Sequence, residues 1–435
     1  MANKEKVSRS VSLITAIIRS QARTYVRLKS PTVIAVAGSV GKTSTKLYLS
    51  AVLGSSAKVR CMDDSYNNGI GLYLSVFNKK IPTHLHSPLA WLKVILSNLG
   101  DFFKSSPDYL ILEYGIDGVG DMDEMIDFIR PDIAILTAVT PEHMEFLKDI
   151  DTVGAEEGKI LASAKKFALV NTDSVAEKYY KDMPGKIYTF GSNPTENAHF
   201  ELDSYTRTGS IVSFFIEKEK LLISQPTKLV SDALISQLCG AILLAHKLGI
   251  PTGDISTGLE SVQPAASRMR ILKGLRGSIL IDDSANFSPE AGVVALQTLK
   301  KLDAKRYIAV LGNMHELGEY IDKGYNDVAA EFGGLTMIVL VGDLSPELFT
   351  PLAENQGFKK DETLFTFPDS LTAGNFLKDI IDADDAVLVK GPFGGFYLEE
   401  TAKLLLDNPS DRKYLTRQSP FWLEEKSKHF GQEIK

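Results

Sequence analysis

From about residue 32 onward, short unbroken apolar runs alternate with longer stretches in which apolar residues recur every three or four positions. The runs Val33–Ala37, Tyr109–Glu113, Ile133–Thr137 and Ala168–Val170 have the length and continuity of strands buried on both faces. Helical patterns separate them, so a parallel sheet covered by helices is predicted. "SIVSFFIEKEKLLIS" (210–224) reads instead as a hairpin of a small antiparallel sheet. A second series of the same kind follows, with strands expected at Ser278–Ile281, Tyr307–Leu311, Thr336–Val341 and Ala386–Lys390 and the break between the two series near Arg270.

Three segments depart from this alternation. Residues 7–29 form a basic amphipathic helix. Residues 82–105 look like a helical insertion, with Trp91, Leu92, Ile95, Leu96, Leu99, Phe102 and Phe103 on one face and Lys93, Ser97 and Asp101 opposite. Residues 411–435 are charged and aperiodic, as a peripheral tail would be. The expected division is therefore a helix over 1–30, a central domain over 31–270, a C-terminal domain over 271–410 and the tail. The fold class is α/β: a central phosphate-loop ATPase domain built on a parallel sheet, then a Rossmann-like domain.

Composition narrows the partners. A net charge of −7 argues against general nucleic-acid binding, which needs an excess of Lys and Arg. The two cysteines, Cys61 and Cys239, lack CxxC spacing, so a zinc site or disulfide framework is not expected and a reducing compartment fits. No apolar run reaches the length of a membrane-spanning helix. "VSLITAII" (11–18) imitates a signal peptide, but Arg19 and Arg23 follow without a small-residue cleavage site. The location expected is cytoplasmic, with no obligate protein partner evident.

The chemistry begins at Gly38-Ser39-Val40-Gly41-Lys42-Thr43-Ser44, between an apolar strand and a helical pattern. Glycines let backbone N–H groups approach phosphate oxygens, the helix N-terminus adds partial positive charge, and Lys42 can reach the terminal phosphates. The Thr43 hydroxyl suits Mg²⁺. The first glycine of the standard loop is replaced by Val36. Glu113 ends a strand expected beside this loop, where a carboxylate can hold the metal.

"GSVGKTST" resembles the short loop of the Mur ligase family, the ATP-dependent amide ligases of peptidoglycan precursor synthesis. "SYNNGIGLYLSVF", "ILEYGIDGVGDM", "LTAVTPEHMEFL" and "ASRMR" are similar to further family segments, in family order. "IDDSANFSPEAG", "VLGNMHELGEY" and "VLVKGPFGGFYLE" most resemble the branch that adds D-alanyl-D-alanine to a UDP-muramoyl tripeptide. The resemblance spans roughly residues 31–405. It implies ATP and Mg²⁺, an acyl-phosphate intermediate, and small or peptide-bearing carboxylate and amine substrates. It also implies His143 at a second cation and Arg268 as a phosphate clamp, with Arg270 and Arg276 as neighbouring alternatives. Asp282 or Asp283 with Asn286 would bind the nucleoside, and Asn67, Asn68, His315 and Lys390 would face the substrates.

Three departures qualify these expectations. Many family members place a carbamylated lysine fourteen residues after the motif histidine; here that position is Glu157. Its arm falls short by roughly 3–4 Å, so a direct or water-mediated ligand role is expected to need a shifted helix or bridging water. The helix that usually offers His-Asn to adenine has Ala233 and Leu234, leaving Gln237 as the base contact. Finally, only 37 residues precede Gly38, too few for the family's UDP-sugar-binding domain. A polyglutamate or lipid-linked carboxylate is thus an alternative substrate, and a catalytically silent ATP-binding scaffold is a further alternative. The segments 7–29 and 82–105 are expected to pack on the ATPase core, with peripheral membrane contact as the alternative.

Overall fold

A computed structural model describes residues 9–82, 87–217 and 219–435. The first sheet contains β1 (Thr32–Ala37), β2 (Val59–Cys61), β3 (Tyr109–Glu113), β4 (Ile133–Leu136), β5 (Phe167–Asn171), β6 (Ile187–Gly191), β7 (Ala198–Thr206), β8 (Gly209–Ile216) and β9 (Glu219–Thr227). Their spatial order is β2-β3-β1-β4-β5-β6-β7-β8-β9. The strands are parallel through β7, and β7–β9 form an antiparallel ladder. The expected hairpin therefore exists, but it extends the main sheet instead of forming a separate one.

Strand β1 is the switch point of this sheet, because its neighbours β3 and β4 both follow it in the chain. Connections leave β1 in one direction and return on both sides, which opens a crevice beyond its carboxyl end. Its register puts Val36 beside Glu113 and Ala37 beside Leu136. Alternate residues serve opposite faces: Ile34 and Val36 join one buried cluster, Val33, Ala35 and Ala37 the other.

The second sheet contains β10 (Arg270–Lys273), β11 (Ile279–Asp283), β12 (Arg306–Leu311), β13 (Met337–Val341), β14 (Leu364–Phe367) and β15 (Asp385–Lys390), in the order β10-β11-β15-β12-β13-β14. It is parallel except for β10. One apolar cluster runs from the helix Lys42–Gly54 through Met269 to Ile281 and Leu311, so the two sheets share a continuous core.

The N-terminal helix Arg9–Lys29 lies on the first sheet's other layer. Ile18, Ala22 and Tyr25 are buried, and the Tyr25 ring meets Phe77 and Phe102 edge-on. Gln21 donates to the Ile95 carbonyl and accepts from Asn98, which ties this helix to the helix Pro88–Asp101. The apolar face expected for the second helix packs on the core only in part: Trp91 is buried and Ile95 and Phe102 pack against the core beside it. Trp91, Asn98 and Asp101 are its buried positions, whereas Leu92, Leu96, Leu99 and Phe103 are exposed. Asp101 can be buried because Arg60, Lys79 and Lys104 surround its carboxylate.

The segment 411–435 is a second correction, because it is docked and not peripheral. Its helix Pro420–Phe430 delivers Lys426, fully buried, to Glu399 at 2.7 Å and Glu400 at 2.6 Å. Arg417 grips Glu399 through two bonds of 2.8 and 2.5 Å. Packing by charge carries no hydrophobic period, which is why periodicity missed it. Among the described residues, no helix is long and apolar enough to cross a membrane.

Candidate active site

The loop from Gly38 to Thr43 connects β1 to the helix Lys42–Gly54 at the switch point. Gly38 and Gly41 have φ of 128° and 90°, which other residues rarely adopt. A Cβ on Gly38 would lie 2.4 Å from Thr137 Oγ1, and one on Gly41 would lie 2.1 Å from Gln237 Nε2. Both glycines are therefore required sterically. Val36, at the first glycine position of the standard loop, is fully buried in β1 and precedes the loop.

Lys42 folds back on this loop, donating to the carbonyls of Gly38 at 2.5 Å and Ser39 at 3.2 Å, with Glu142 at 3.6 Å. Burial alone would depress its pKa, but the carboxylates of Glu142, Glu157 and Glu113 outweigh burial and raise it. The ammonium stays charged.

Thr43 Oγ1 lies 3.1 Å from both oxygens of Glu113, and Ser65 donates to Glu113 Oε1 at 2.8 Å. Glu113 is buried, which pushes its pKa up. Lys46, 2.8 Å from Oε2, more than compensates, so the carboxyl sits below its usual range. Two hydroxyls and a carboxylate make a hard-oxygen donor set of the kind Mg²⁺ takes. Lys46, itself buried and anchored on the Asp64 carbonyl, was not anticipated. Its spacing of one helical turn from Lys42 is the signal that could have found it.

The expected second cation pair is not brought together. His143 Nδ1 meets Glu316 Oε2 of the other domain at 2.6 Å, while its Nε2 is 3.6 Å from Glu142 and 3.7 Å from Asp117. Glu157 lies beneath the phosphate loop, fully buried, and accepts the Gly38 N–H at 2.9 Å; its Oε1 has no partner. Burial first, with Glu142 adding, raises its pKa to about 8 against the opposing pull of Lys42. Among the described residues, no three His, Cys, Asp or Glu side chains converge as a metal-holding group. The glutamate arm ends at the loop backbone, with one oxygen on the Gly38 N–H.

A crevice of about 550 Å³ opens between the two sheets. From the first domain it is lined by Ser39 to Ser44, Asn67, Glu113 and Gln237, and from the second by Asp283, Asn286 and Lys390, with Arg268 at the junction. The alternatives separate. Arg270 donates to the Pro264 carbonyl and Arg276 to carbonyls of Lys378 and Ile381, whereas Arg268 faces the crevice. Asp282 is sealed between Ser267 and Ser284, whereas Asp283 lines the cleft, bound by Met269 N–H and Lys390. Lys390 has its pKa lowered, by burial first and Arg268 second, against Asp283 at 2.6 Å.

Gln237 is buried with its Oε1 unpartnered, facing Gly41. Asn67 lines the cleft, but Asn68 turns to Asp117 and His315 stacks on Phe396 outside it. Glu142 and Glu290, both in the lining, were not singled out although they lie within the quoted segments LTAVTPEHMEFL and IDDSANFSPEAG, because nothing in the spacing there marks these acids apart from their neighbours. Burial raises the Glu290 carboxyl to about 7.

A model of the Mur ligase middle domain matches residues 36–245, and one of the Mur ligase glutamate ligase domain matches residues 267–393. The chain is 24% identical over 407 residues to a UDP-N-acetylmuramoyl-tripeptide–D-alanyl-D-alanine ligase of Bacillus subtilis, covering 90% of this chain and 79% of the relative. It is 24% identical over 375 residues to the enzyme of that name in Rickettsia prowazekii, covering 83% and 75%. Among solved structures, a MurF ligase of Thermotoga maritima in complex with ADP superposes with a TM-score of 0.72 at 21% identity, over 90% of this chain and 83% of that one. FolC of E. coli, in complex with DHPP and ADP, superposes with a TM-score of 0.63 at 19% identity, over 87% and 90%.

Proposed function

The chain belongs to the Mur ligase family, and on that premise we propose that it is an ATP-dependent, ADP-forming ligase that joins a muramoyl-tripeptide carboxylate to the amine of D-alanyl-D-alanine. The observation that carries this reading is the crevice itself. It sets the phosphate loop, Lys42 and Glu113 opposite Arg268 and Lys390, so one bound ATP faces both domains.

In this reading a carboxylate oxygen attacks the γ-phosphorus, the bond to the β-phosphate oxygen breaks, and ADP leaves. The amine then attacks the acyl carbon, phosphate departs, and the amine's proton passes to phosphate or water. The obstacle to the first step is an anion approaching a polyanion. Lys42 exchanges its loop carbonyls for phosphate oxygens, and Arg268 neutralises charge from the other side. Loop N–H groups from Ser39 to Thr43 cradle the phosphates. Mg²⁺ held by Thr43, Ser65 and Glu113 would supply further neutralisation of the terminal phosphates. Gln237 Oε1 is placed to accept from an adenine amino group.

Phosphate release from ATP should require both the carboxylate and the amine substrate. Mass spectrometry of the product should show the muramoyl pentapeptide. Release that is independent of the amine, or a product with another carboxylate only, would overturn the substrate assignment.

A further inference from the structure

The helices Arg9–Lys29 and Pro88–Asp101 lie side by side, and their outer surface is apolar where a soluble surface would be polar. On the second helix and the turn after it, Leu89, Leu92, Leu96, Leu99 and Phe103 recur at alternating spacings of three and four, so they form one stripe. They are 45 to 92% exposed. On the first helix, Leu13, Ile17 and Leu28 are exposed as well. Gln21, which binds Ile95 and Asn98, marks the flank of the first helix that faces the second. Helical phase places Leu13, Ile17 and Leu28 on that same flank. The two sets therefore border one shelf, and none of these side chains is needed for the core beneath.

Charge selects the occupant. Residues 9–29 contain five basic side chains and no acidic one, and two of the five, Arg19 and Arg23, pair with Asp127 of the neighbouring helix Asp121–Phe128. The second helix adds exposed Lys93, and its only acid, Asp101, is buried against Arg60, Lys79 and Lys104. On the opposite flank of the first helix, a cleft of about 470 Å³ is lined by Arg23, Arg27, Arg130 and Lys165; Arg23 is held by Asp127 and Lys165 lies 3.5 Å from Asp132, so Arg27 and Arg130 carry its excess charge. The remaining excess of this face, carried by Arg27, Lys93 and Arg130, is a local inversion on a chain of net charge −7. A second copy docking here would bring like charges together, which opposes association. An anionic surface would be attracted to the same rim while its interior receives the leucines.

We propose that this face docks the protein on the surface of an anionic lipid bilayer, with the leucine shelf entering the interface and the arginine cleft taking lipid phosphates. The shelf lies on the layer of the first sheet that carries Val33 and Ala35, away from the cluster that joins the two domains, so docking leaves the crevice free to work.

The test is flotation of the full chain with vesicles of phosphatidylglycerol and phosphatidylcholine, against phosphatidylcholine alone. Binding is expected only to the anionic vesicles and should weaken at high salt. The double variant Leu96→Ser, Phe103→Ser should lose at least about tenfold in partitioning, because it removes two large buried side chains from the interface. Arg27→Glu with Lys93→Glu should lose at least as much. Both variants replace exposed groups, so their thermal unfolding and ATP-dependent phosphate release should match the parent. Absence of flotation at low salt overturns the proposal, as does flotation unaffected by either variant. A lipid-free dimer by light scattering that Leu96→Ser, Phe103→Ser dissociates would also overturn it, by assigning the shelf to a second copy.

Discussion

Lys42 and Glu157 sit on opposite sides of the same loop and do opposite things with charge. Lys42 keeps its proton and is free to exchange its carbonyl partners for phosphate, so Lys42→Met should lower turnover by about 100-fold or more with little change in unfolding temperature. Initial-rate measurements check this. Glu157 keeps a proton for a different reason: burial raises its carboxyl to about 8 from an ordinary 4.5. The folded chain then holds a proton that the unfolded chain releases between those values. Stability contributed at this position is therefore present at low pH and falls as pH rises toward 8. Glu157→Gln, which mimics the protonated acid, should flatten that decline in a series of unfolding curves and retain ligase activity. Glu157→Ala leaves the Gly38 N–H unpaired and should cost about 1–3 kcal/mol. Loss of activity in Glu157→Gln, restored by excess Mg²⁺, would instead favour the metal-ligand role. The motif residues Lys42, Thr43 and Glu113 were legible because phosphate chemistry constrains their spacing. Lys46 was not, since a lysine on a helix is ordinarily solvated and only the tertiary position of Glu113 makes it a counter-ion.

At the level of elements, apolar strands were the readable part. β1, β3, β4 and β5 and the main strands of the second sheet were identifiable from unbroken apolar runs, whereas three-residue β2 and half-exposed β14 offered too little pattern. The loop glycines make a sharp prediction. Gly41→Ala meets Gln237 and a φ of 90° together, so nucleotide binding measured by calorimetry should fall steeply, and Gln237→Ala should relieve only the steric part. The C-terminal helix was misjudged because it is held by ions. Removing one member of a buried network strands the others, so Lys426→Met should destabilise the protein by about 3–5 kcal/mol in urea unfolding. A change under 1 kcal/mol would mean that water already reaches Glu399 and Glu400.

For the whole molecule, the division into two α/β units followed from the restart of alternating strands near Arg270. What the chain did not advertise is how the units meet. His143 and Glu316 lie 173 residues apart and touch between the two units, a contact with no local sequence signature. Glu316→Ala should raise KM for ATP about two- to fivefold while leaving kcat nearly unchanged, as measured by steady-state kinetics. An unchanged KM would mean that this contact does not help bring the domains together around the nucleotide.

The ion network at Glu399 has a consequence for biosynthesis. Glu399 and Glu400 emerge from the ribosome before Arg417 and Lys426, so during that interval the helix Glu399–Leu404 has only Lys403, which reaches Glu400, and no partner for Glu399. That part of the interior gains its full set of counter-ions only once the helix Pro420–Phe430 has been made. A chain cut short at residue 416 should therefore be digested faster by a protease than the full chain, because Glu399 is left buried without its cations.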